Sequence, residues 1–547
     1  MTVQNLIDQH RPTLDRALEA IRTREFWSHF PESIKEQPED AAEQGRRAFE
    51  ARLTSTDAQG SQGTERSPYG LPLGVTYPHH SPDELIAAAQ PGQRAWRDAG
   101  PEARAAISIE ILERLHRRSI EIAHAVMHTS GQAFGMAFQA GGPHAQDRAL
   151  EAIAYAYAEM TRHAERARWE KPAGRPGPLV MEKRFTVVPR GIALVIGCNT
   201  FPTWNSYPGL FASLATGNSV IVKPHPRAVL PLAISVEVAR EVLAEYGFDP
   251  DLVQLAAERE GEKLAADLAL RPEIRIIDFT GSTGFGEWLE ASARQAQVYT
   301  EKAGVNAVVV DSTSDYAGML ANIAFSLSLY SGQMCTAPQN LLIPRDGIAT
   351  DAGPKTFDEV TADLAAAVGQ LLGDDKRAVE ILGAIVSDDV VARLDRAPSL
   401  GDPVLASHAI THPAFPDAVI RTPAIVAVDA KRREVFGAEC FGPVAFAVQT
   451  TSTAHSIELF REVTSQRGAI TASVYSADPQ VLAEMEEAAQ DAGVALSENL
   501  TGAVYVNQSA AFSDFHATGA NAAANSSLTD GAYVAGRFRI VQVRKHA

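Results

Sequence analysis

The spacing of hydrophobic residues changes near residue 185, and this change separates two kinds of structure. After this point, short β-branched runs without polar alternation are separated by helix-length amphipathic segments. The runs are FTVVPRGIALVIG, NSVIVKP, LVQLA, IRIIDFTGS and NAVVVD. Continuous apolar strands joined by helices are typical of a parallel sheet that is covered on both faces. We therefore predict an α/β fold with a doubly wound, Rossmann-like nucleotide-binding domain, followed by a second α/β region over roughly 312–500.

The chain before this point has the spacing of helices. Leu6, Leu14, Leu18, Ile21 and Phe26 recur at roughly helical intervals, which predicts one or two helices within the first 75 residues. The following stretch, STDAQGSQGTERSPY at residues 55–69, is polar and rich in Gly and Ser, so we expect a loop or linker there.

Residues 81–165 are predicted to be helical throughout. Ser81 can cap a helix, Pro82 fits its first turn, and Glu84 stands three residues after the cap. Apolar-periodic segments then continue, and Gly141-Gly142-Pro143 is expected to separate two helices.

Charge and length narrow the class of protein. The 547 residues carry 49 basic and 67 acidic side chains, a net charge of −18. A nucleic-acid binder needs a basic surface against phosphates, so this balance argues against that class. Apolar residues make up 45% of the chain, which excludes global disorder. The length of 547 residues corresponds to three or four domain-sized units.

The cysteines indicate a reducing compartment. There are three, at positions 198, 335 and 440, and an odd, sparse set is no disulfide framework. Their spacing also suggests no metal site. No run of 18 apolar residues could span a membrane, and the N-terminus lacks the uncharged apolar stretch of a secretory signal. We expect a cytoplasmic protein.

Several positions could carry chemistry, and each also has a purely structural interpretation. The segment Phe279–Gly286, FTGSTGFG, joins a predicted strand to a helix and could present backbone N–H groups to a phosphate, or be a plain tight turn. Lys223 ends a strand, where ligands bind in parallel sheets, or is simply solvated. Cys335 could be a nucleophile or an inert buried residue. Glu301 could be catalytic or an exposed partner of Lys302, and Glu439 could be an ordinary loop residue.

The order of these motifs resembles the NAD(P)-dependent aldehyde dehydrogenase superfamily. The resemblance covers roughly residues 80–510. Within it, the N-terminal extension and the C-terminal segment FSDFHATGANAAANSSLTDGA are most similar to the phenylacetic acid degradation (PaaN) branch. The motifs are Asn199…Phe201-Pro202, Gly217-Asn218…Lys223-Pro224, FTGSTGFG, Glu301-Lys302-Ala303-Gly304, Gly-Gln-Met-Cys335 and Glu439…Phe441-Gly442-Pro443.

The resemblance implies three catalytic residues. The Cys335 thiolate is expected to attack an aldehyde, and Glu301 is expected to act as the base that lets water release the acid. A side-chain amide stabilises the oxyanion in the superfamily. Asn199 is our candidate for that amide, although the usual spacing from Phe201-Pro202 falls on Thr200. No metal is implied.

The resemblance also implies the cofactor contacts. Lys223 is expected to hold the adenosine ribose, Gly281 and Ser282 the pyrophosphate, and Glu439 with Phe441 the nicotinamide side. NAD-preferring members often carry a glutamate three residues after the lysine, where this chain has Pro226. His225 and Arg227 flank that proline, so we predict that NADP is preferred and that NAD is possible.

The superfamily suggests a division of the chain into regions. We expect an N-terminal extension (1–75), a cofactor-binding domain (76–167 and 188–311), a catalytic domain (312–505) and an oligomerisation arm (168–187 and 525–547). Open strand edges in such an arm favour pairing, so a homodimer or a dimer of dimers is expected.

The implied function is oxidation of an aldehyde to a carboxylic acid. The PaaN resemblance points to a semialdehyde of aromatic catabolism, with a coenzyme-A-linked tail as one possibility. Two alternatives stay open, a coenzyme-A-acylating dehydrogenase and a catalytically silent nucleotide-binding protein with the same fold. His516, in a segment that departs from the superfamily's Phe-Gly-Gly, is expected to be structural rather than catalytic.

Overall fold

The structure is a computed structural model. It describes residues 2–54, 61–63, 65–175, 177–259 and 261–547. It contains two parallel sheets flanked by helices, an antiparallel three-stranded sheet and a large helical N-terminal part. The aldehyde dehydrogenase fold expected from the sequence is confirmed.

The first parallel sheet has five strands, and all neighbouring pairs in it are parallel. The two central strands are buried along their whole length, as their unbroken β-branched sequences predict. In spatial order the strands are Val253–Leu255, Ser219–Lys223, Ile192–Ile196, Ile274–Gly281 and Gln297–Lys302. The helices that connect and cover them are Pro202–Ala215, Leu230–Glu245, Leu264–Ala269 and Thr283–Ser292.

The second sheet has seven strands and is parallel except for one antiparallel edge strand, Asp402–Leu405. Its remaining strands, in spatial order, are Ala424–Asp429, Val444–Thr450, Asn340–Pro344, Ala307–Val310, Thr471–Tyr475 and Ala495–Glu498. Its helices are Tyr316–Ser328, Phe357–Leu371, Asp375–Leu382, Asp388–Arg396, Arg433–Phe436, Thr453–Arg467 and Pro479–Ala492.

Helices dominate the chain up to residue 161, as the apolar spacing predicts. They are Val3–Thr23, Ala41–Thr54, Pro82–Ala89, Gln93–Asp98, Gly100–Arg117, Ser119–Ser130, Phe134–Gln139 and Ala145–Thr161. Ser81 and Glu84 form the predicted capping box. A π-helical turn, Ala140–His144, joins two helices where the Gly-Gly-Pro segment was expected to separate them.

One expectation for the first 75 residues needs correction. Phe26 is 75% exposed because the first helix ends at Thr23, so Phe26 is not part of its buried face. Residues 55–60 and 64 of the predicted loop lie outside the described residues. Glu65, just beyond them, is buried and accepts hydrogen bonds from the backbone N–H groups of Val229 and Leu230, where a helix begins.

A three-stranded antiparallel sheet combines a hairpin with the C-terminal strand. In spatial order its strands are Phe538–His546, Leu179–Pro189 and Arg166–Lys171. Large apolar side chains on it are exposed, namely Leu179, Ile540, Val541 and Val543. Such a surface on an edge strand is suited to pairing with another protein.

The remaining elements are short. Two-residue strands pair Ser61–Gln62 with Thr76–Tyr77, Ser312–Thr313 with Ala349–Thr350, and Ala409–Ile410 with Ile420–Arg421. The other short helices are Ile34–Glu36, Pro250–Leu252, Leu329–Gly332, Ala397–Ser399 and Gly531–Ala535. Within the described parts of the chain, every helix is too short or too polar to cross a bilayer.

Candidate active site

Cys335 lies in an unusually shaped turn, residues 330–337, between a short helix and a strand of the seven-stranded sheet. Three successive residues, Tyr330, Ser331 and Gly332, have φ values of 52°, 49° and 61°. The left-handed region is unfavourable for side chains other than glycine, so tertiary contacts must hold this shape. The two buried hydroxyls donate to the backbone carbonyls of Ser130, Leu382 and Arg421.

Asn306 fixes the other half of this Cys335 turn. Its Nδ2 donates to the carbonyls of Cys335 and Ala337, at 2.8 and 2.9 Å. Its Oδ1 accepts from the backbone N–H groups of Ile470 and Thr471. One buried amide thus joins the nucleophile's turn to the neighbouring strand and places Cys335 before any ligand arrives.

Three side chains from distant parts of the chain meet at the thiol. Cys335 Sγ lies 3.8 Å from His516 Nε2, and the same nitrogen lies 3.1 Å from Glu301 Oε1. Glu301 and His516 are each only 3% exposed. The Cys335 sulfur, one ring nitrogen of His516 and one carboxylate oxygen of Glu301 all lie within 4.8 Å of one another. The spacing of these residues in the sequence did not reveal this proximity.

Glu301 is positioned at the end of the edge strand Gln297–Lys302. The adjacent Lys302 pairs with Glu290 at 2.9 Å, so Glu301 is not the exposed partner of Lys302. Asn205 donates to the Glu301 carboxylate at 3.3 Å. Burial alone would raise the pKa of Glu301, but His516, Cys335 and Asn205 together lower it below its ordinary value.

The thiol has the opposite electrostatic environment. Burial raises the pKa of Cys335 well above its ordinary value, and the negative charge of Glu301 raises it further. Cys335 is therefore a thiol at neutral pH until a base within reach removes its proton.

His516 is held on every side. Its Nδ1 lies 3.3 Å from Ser509 Oγ, and the Trp204 ring packs edge-on against the imidazole at 4.6 Å. Its backbone forms an antiparallel bridge with Leu528. The expectation that His516 serves only the structure is therefore incomplete, because the fold brings this buried imidazole to the Cys335 sulfur.

The segment that carries this histidine, residues 509–516 (the His516 loop), rests on a buried ion cluster. Arg148 donates to the Asp514 carbonyl and to Ser509 Oγ, and it pairs with Glu151 at 2.7 Å. Arg24, from the N-terminal extension, also pairs with Glu151, at 3.0 Å. The first helical segment therefore helps to fix an active-site loop far away in sequence.

Asn199, the expected oxyanion donor, is directed elsewhere. Its Nδ2 donates to the Thr129 carbonyl at 2.9 Å, and the Thr200 carbonyl accepts from Gln132. Asn205, six residues further along and in the helix Pro202–Ala215, is the amide that contacts Glu301. Among the described residues other than Cys335 itself, none accepts a hydrogen bond from its backbone N–H, which lies beside the sulfur and can turn to an oxyanion formed there.

The other cysteines are not equivalent to Cys335. Cys198 Sγ contacts the Asn205 side chain at 3.6 Å, and burial raises the pKa of this thiol to about 11. Burial also raises the pKa of Cys440. The imidazole contact distinguishes Cys335 from both.

Lys223 ends a central strand of the five-stranded sheet and is buried. Its ammonium forms an ion pair with Glu258, whose carboxylate also accepts from the Leu264 N–H at 3.0 Å. No motif around Lys223 indicates this carboxylate, because Glu258 follows a different strand.

The Gly281–Ser282 corner opens the helix Thr283–Ser292. Ser282 has extended backbone and makes no capping hydrogen bond with its own side chain, so the first N–H groups of the helix lack that partner. A Cβ on Gly284 would meet nothing within 4 Å. The corner therefore has the open N–H groups and the space that an anionic group requires.

Glu439 and Phe441 lie in a turn, residues 439–443, that contacts the Cys335 turn. A Cβ placed on Gly332 would lie 2.7 Å from the Gly442 carbonyl oxygen, which only glycine tolerates. Glu439 is exposed at the surface, yet the protein around it desolvates its carboxylate and raises its pKa to about 7. The Phe441 carbonyl accepts from Arg393 at 2.7 Å.

His225 and Arg227 follow Lys223 in an exposed turn. His225 Nδ1 accepts from the Arg227 N–H at 3.2 Å, and Arg227 donates to the Val386 carbonyl at 3.0 Å. Burial and then the charges of Lys223 and Arg227 lower the pKa of His225 to about 4, so it is uncharged at neutral pH. Of these two, only Arg227 brings positive charge.

A cysteine in contact with a buried imidazole and carboxylate, beside a parallel sheet with an open helix N-terminus, is typical of a nucleotide-linked enzyme. The model of the aldehyde dehydrogenase family matches residues 79–527. The chain therefore belongs to the aldehyde dehydrogenase family.

Particular relatives agree with this assignment. The chain is 57% identical to an NAD-dependent aldehyde dehydrogenase from Burkholderia multivorans, with a TM-score of 0.97 and 99% of each chain covered. It is 26% identical to the benzaldehyde dehydrogenase [NAD(+)] of Pseudomonas putida over 69% of this chain and 72% of that protein. It is 25% identical to 1-pyrroline-5-carboxylate dehydrogenase 1 of Halalkalibacterium halodurans, over 57% of this chain and 58% of that one.

Proposed function

We propose that this protein oxidises an aldehyde to its carboxylic acid with a nicotinamide dinucleotide, through a covalent adduct on Cys335. The observation that carries the proposal is the contact of the Cys335 thiol with a buried imidazole and carboxylate. A thiol needs an adjacent base to become a nucleophile, and among the described contacts Cys335 is the cysteine whose sulfur lies against an imidazole.

The first step is attack of Cys335 sulfur on the aldehyde carbon. Negative charge then develops on the former carbonyl oxygen and needs donors aimed at it, each worth about 3 kcal/mol. The free backbone N–H of Cys335 is one such donor. Asn199 was expected to supply the second, but Asn205 is the amide that contacts the catalytic groups, so we assign this role to Asn205.

The residues expected to bind the dinucleotide fit such a group. Lys223 and Glu258 would hold the adenosine ribose, the open N–H groups after Ser282 the pyrophosphate, and Glu439 the nicotinamide ribose. When bound, the nicotinamide accepts hydride from the carbon that is being oxidised. Glu301 is then in place to take a proton from the water that releases the acid, and its lowered pKa keeps it ionised for this task.

The preference between NAD and NADP depends on two opposed charges. Arg227 favours a 2′-phosphate and supports the NADP preference predicted from the sequence. Glu258, paired with Lys223, would accept from a ribose hydroxyl and repel a phosphate, and the 57%-identical relative is described as NAD-dependent. We propose that both cofactors are used and that Glu258 weakens the preference for NADP.

The ratio of kcat/KM for the two cofactors tests this proposal. Glu258→Gln is expected to shift the ratio toward NADP and Arg227→Gln toward NAD, each by about 10-fold, since one charge contact is worth about 1.4 kcal/mol. A ratio that neither substitution changes would contradict it.

The substrate we propose is a semialdehyde from aromatic catabolism, either free or attached to coenzyme A. The support is the sequence resemblance to the phenylacetic acid degradation branch and the benzaldehyde-oxidising relative. Glu301 in the site favours hydrolysis over acyl transfer to coenzyme A. A panel of aromatic, aliphatic and coenzyme-A-tethered aldehydes, with product analysis with and without free coenzyme A, separates these cases. No turnover of any aldehyde, or turnover unchanged in Cys335→Ala, would refute the function.

We propose that the three-stranded sheet is an oligomerisation arm that forms a homodimer or a dimer of dimers. Its apolar side chains Ile540, Val541 and Val543 are 42%, 48% and 48% exposed. Replacing Val541 and Val543 by lysine is expected to reduce the mass measured by light scattering to that of one chain. A monomeric wild type would disprove the proposal.

A further inference from the structure

His516 has a chemical environment that the cysteine and glutamate roles do not require. It is 3% exposed, and each of its two ring nitrogens faces a polar group of another residue. A histidine that only filled space in the core would not need both nitrogens placed against catalytic and hydroxyl groups. The contact with the reacting sulfur makes it a candidate catalytic residue.

We propose that His516 is the base that takes the thiol proton of Cys335, and that Glu301 and Ser509 stabilise the imidazolium that results. This inference rests on the proposed covalent role of Cys335. His516 lies outside the sequence motifs that carry the family resemblance. The proposal assigns to it the removal of the Cys335 proton, which Glu301 would otherwise have to perform.

The hydrogen-bond partners support this assignment. For Nε2 to accept the proton, Nδ1 must carry the other ring hydrogen, and Ser509 Oγ lies 3.3 Å away as its acceptor. After transfer, the Nε2–H lies 3.8 Å from the sulfur and 3.1 Å from Glu301 Oε1, measured between heavy atoms. The Cys335 sulfur and the Glu301 carboxylate are then two acceptors for the one Nε2–H of the imidazolium.

Charge also favours the transferred state. The imidazolium would lie between the thiolate and the Glu301 carboxylate, so each anion gains an opposite charge in a site with little water. The other charged or titratable groups that face this cluster are Cys198, beyond the thiol, and Arg148 and Asp514, on the far side of Ser509. None of these is closer to the Cys335 sulfur than His516 among the described contacts.

The protons balance over one turnover. The Cys335 proton moves to His516 as the sulfur–carbon bond forms. During release, water adds to the thioester and gives a proton to Glu301, the carbon–sulfur bond breaks, and His516 returns its proton to the sulfur. Glu301 then loses its proton to solvent, so one aldehyde and one water yield one acid and one released proton, besides the hydride transferred.

Alkylation of the purified full-length protein by iodoacetamide tests the inference without aldehyde or cofactor. The Cys335 peptide is quantified by mass spectrometry as a function of pH. Burial and Glu301 raise the pKa of Cys335, and proton transfer to His516 is expected to offset both effects, so wild-type alkylation should begin below about pH 8.5, where an unperturbed thiol ionises. His516→Gln is expected to slow alkylation about 10-fold or more at neutral pH. Glu301→Gln removes a charge that stabilises the imidazolium but also opposes the thiolate, so it should change alkylation by less than about 3-fold.

His10→Gln is the matched control. His10 is equally buried and pairs with Glu110 at 3.0 Å, remote in the N-terminal helix, so Cys335 alkylation should not change. Circular dichroism verifies the fold of each variant. If His516→Gln does not fold, Ser509→Ala, which removes the Nδ1 partner together with one acceptor of Arg148, should still slow alkylation a few-fold.

Two results would overturn the inference. One is wild-type alkylation that begins only at or above the pH of an ordinary thiol, and the other is a pH profile unchanged in His516→Gln. Because the assay contains no substrate, an absence of aldehyde turnover with a His516-dependent profile would refute the proposed function alone.

Discussion

At the scale of single residues, the protein shifts the pKa values of two neighbouring side chains, Cys335 and Glu301, in opposite directions. Burial and a neighbouring carboxylate keep Cys335 protonated, while the imidazole and an amide keep Glu301 ionised. Under the proposed function, these opposite shifts divide the work, with Cys335 for attack and Glu301 for water activation.

Glu301→Gln should separate the two halves of the reaction. Without a carboxylate to take a proton from water, the acyl group should remain on Cys335, and kcat should fall about 10²–10⁴-fold. Rapid mixing is expected to give about one equivalent of reduced cofactor per subunit, followed by slow turnover.

Glu290→Gln provides the comparison for this variant. Glu290 is a nearby carboxylate that pairs with Lys302 instead of with the site, so its loss should leave kcat within about 3-fold. Loss of the rapid phase in Glu301→Gln would mean that Glu301 acts before the thioester forms.

Motifs along the chain selected Cys335 and Glu301 as candidates, because each stands in a short segment that resembles one of the family. His516, Asn205 and Glu258 could not be found in this way. His516 is 181 residues from Cys335, and Glu258 follows a different strand from Lys223. Their roles depend on which loops the sheets bring together, and local sequence does not encode that.

At the scale of secondary-structure elements, hydrophobic periodicity was a good guide. The strands Ser219–Lys223 and Ile274–Gly281 lie within the predicted runs NSVIVKP and IRIIDFTGS. The His516 loop has no periodicity, because its conformation is imposed by Arg148 and Glu151 beneath it. Because residues distant in sequence determine the conformation of this loop, the local sequence contains no hydrophobic pattern that predicts it.

The packing of the helix Ala41–Thr54 predicts a pH-dependent stability. Phe49 on this helix stacks against His128 at 5.3 Å, and burial, followed by the charge of His124, lowers the pKa of His128 to about 4. The folded state thus favours neutral His128, so its stabilisation is complete above the unfolded pKa near 6.5 and declines as pH falls toward 4. Between pH 7.5 and 5.5 the loss should be about 1 kcal/mol.

Thermal unfolding at these two pH values measures this effect. His128→Gln should reduce the drop in unfolding midpoint between them. His163→Gln, at an exposed position, should not. An identical pH dependence in wild type and His128→Gln would show that this packing is not the sensitive element.

At the scale of the whole molecule, the N-terminal extension belongs to the catalytic structure although the family model begins only at residue 79. Arg24 pairs with Glu151, and Trp27 packs against Phe512 of the His516 loop at 4.8 Å. The extension therefore supports a loop of the active site from outside the region that defines the family.

Arg24→Met should reveal this support. The loop should become less ordered, kcat should fall about 10-fold, and stability should drop by about 1–3 kcal/mol, because Glu151 loses one of its two cationic partners. Steady-state kinetics and thermal unfolding measure the two effects.

Arg22→Met is the companion variant. Arg22 lies in the same helix but is 70% exposed and pairs with Glu19 on that helix. Both parameters should remain near those of the wild type. Equal behaviour of the two variants would mean that the extension does not act on the loop.

The close approach of Gly332 to Gly442 has a mechanical consequence. A bare backbone on each side lets the Cys335 turn and the turn of residues 439–443 pack directly against each other, with no side chain between them. If these turns have the proposed roles, dinucleotide binding and the orientation of the Cys335 sulfur are coupled. One added methyl group at Gly332 would disturb both together.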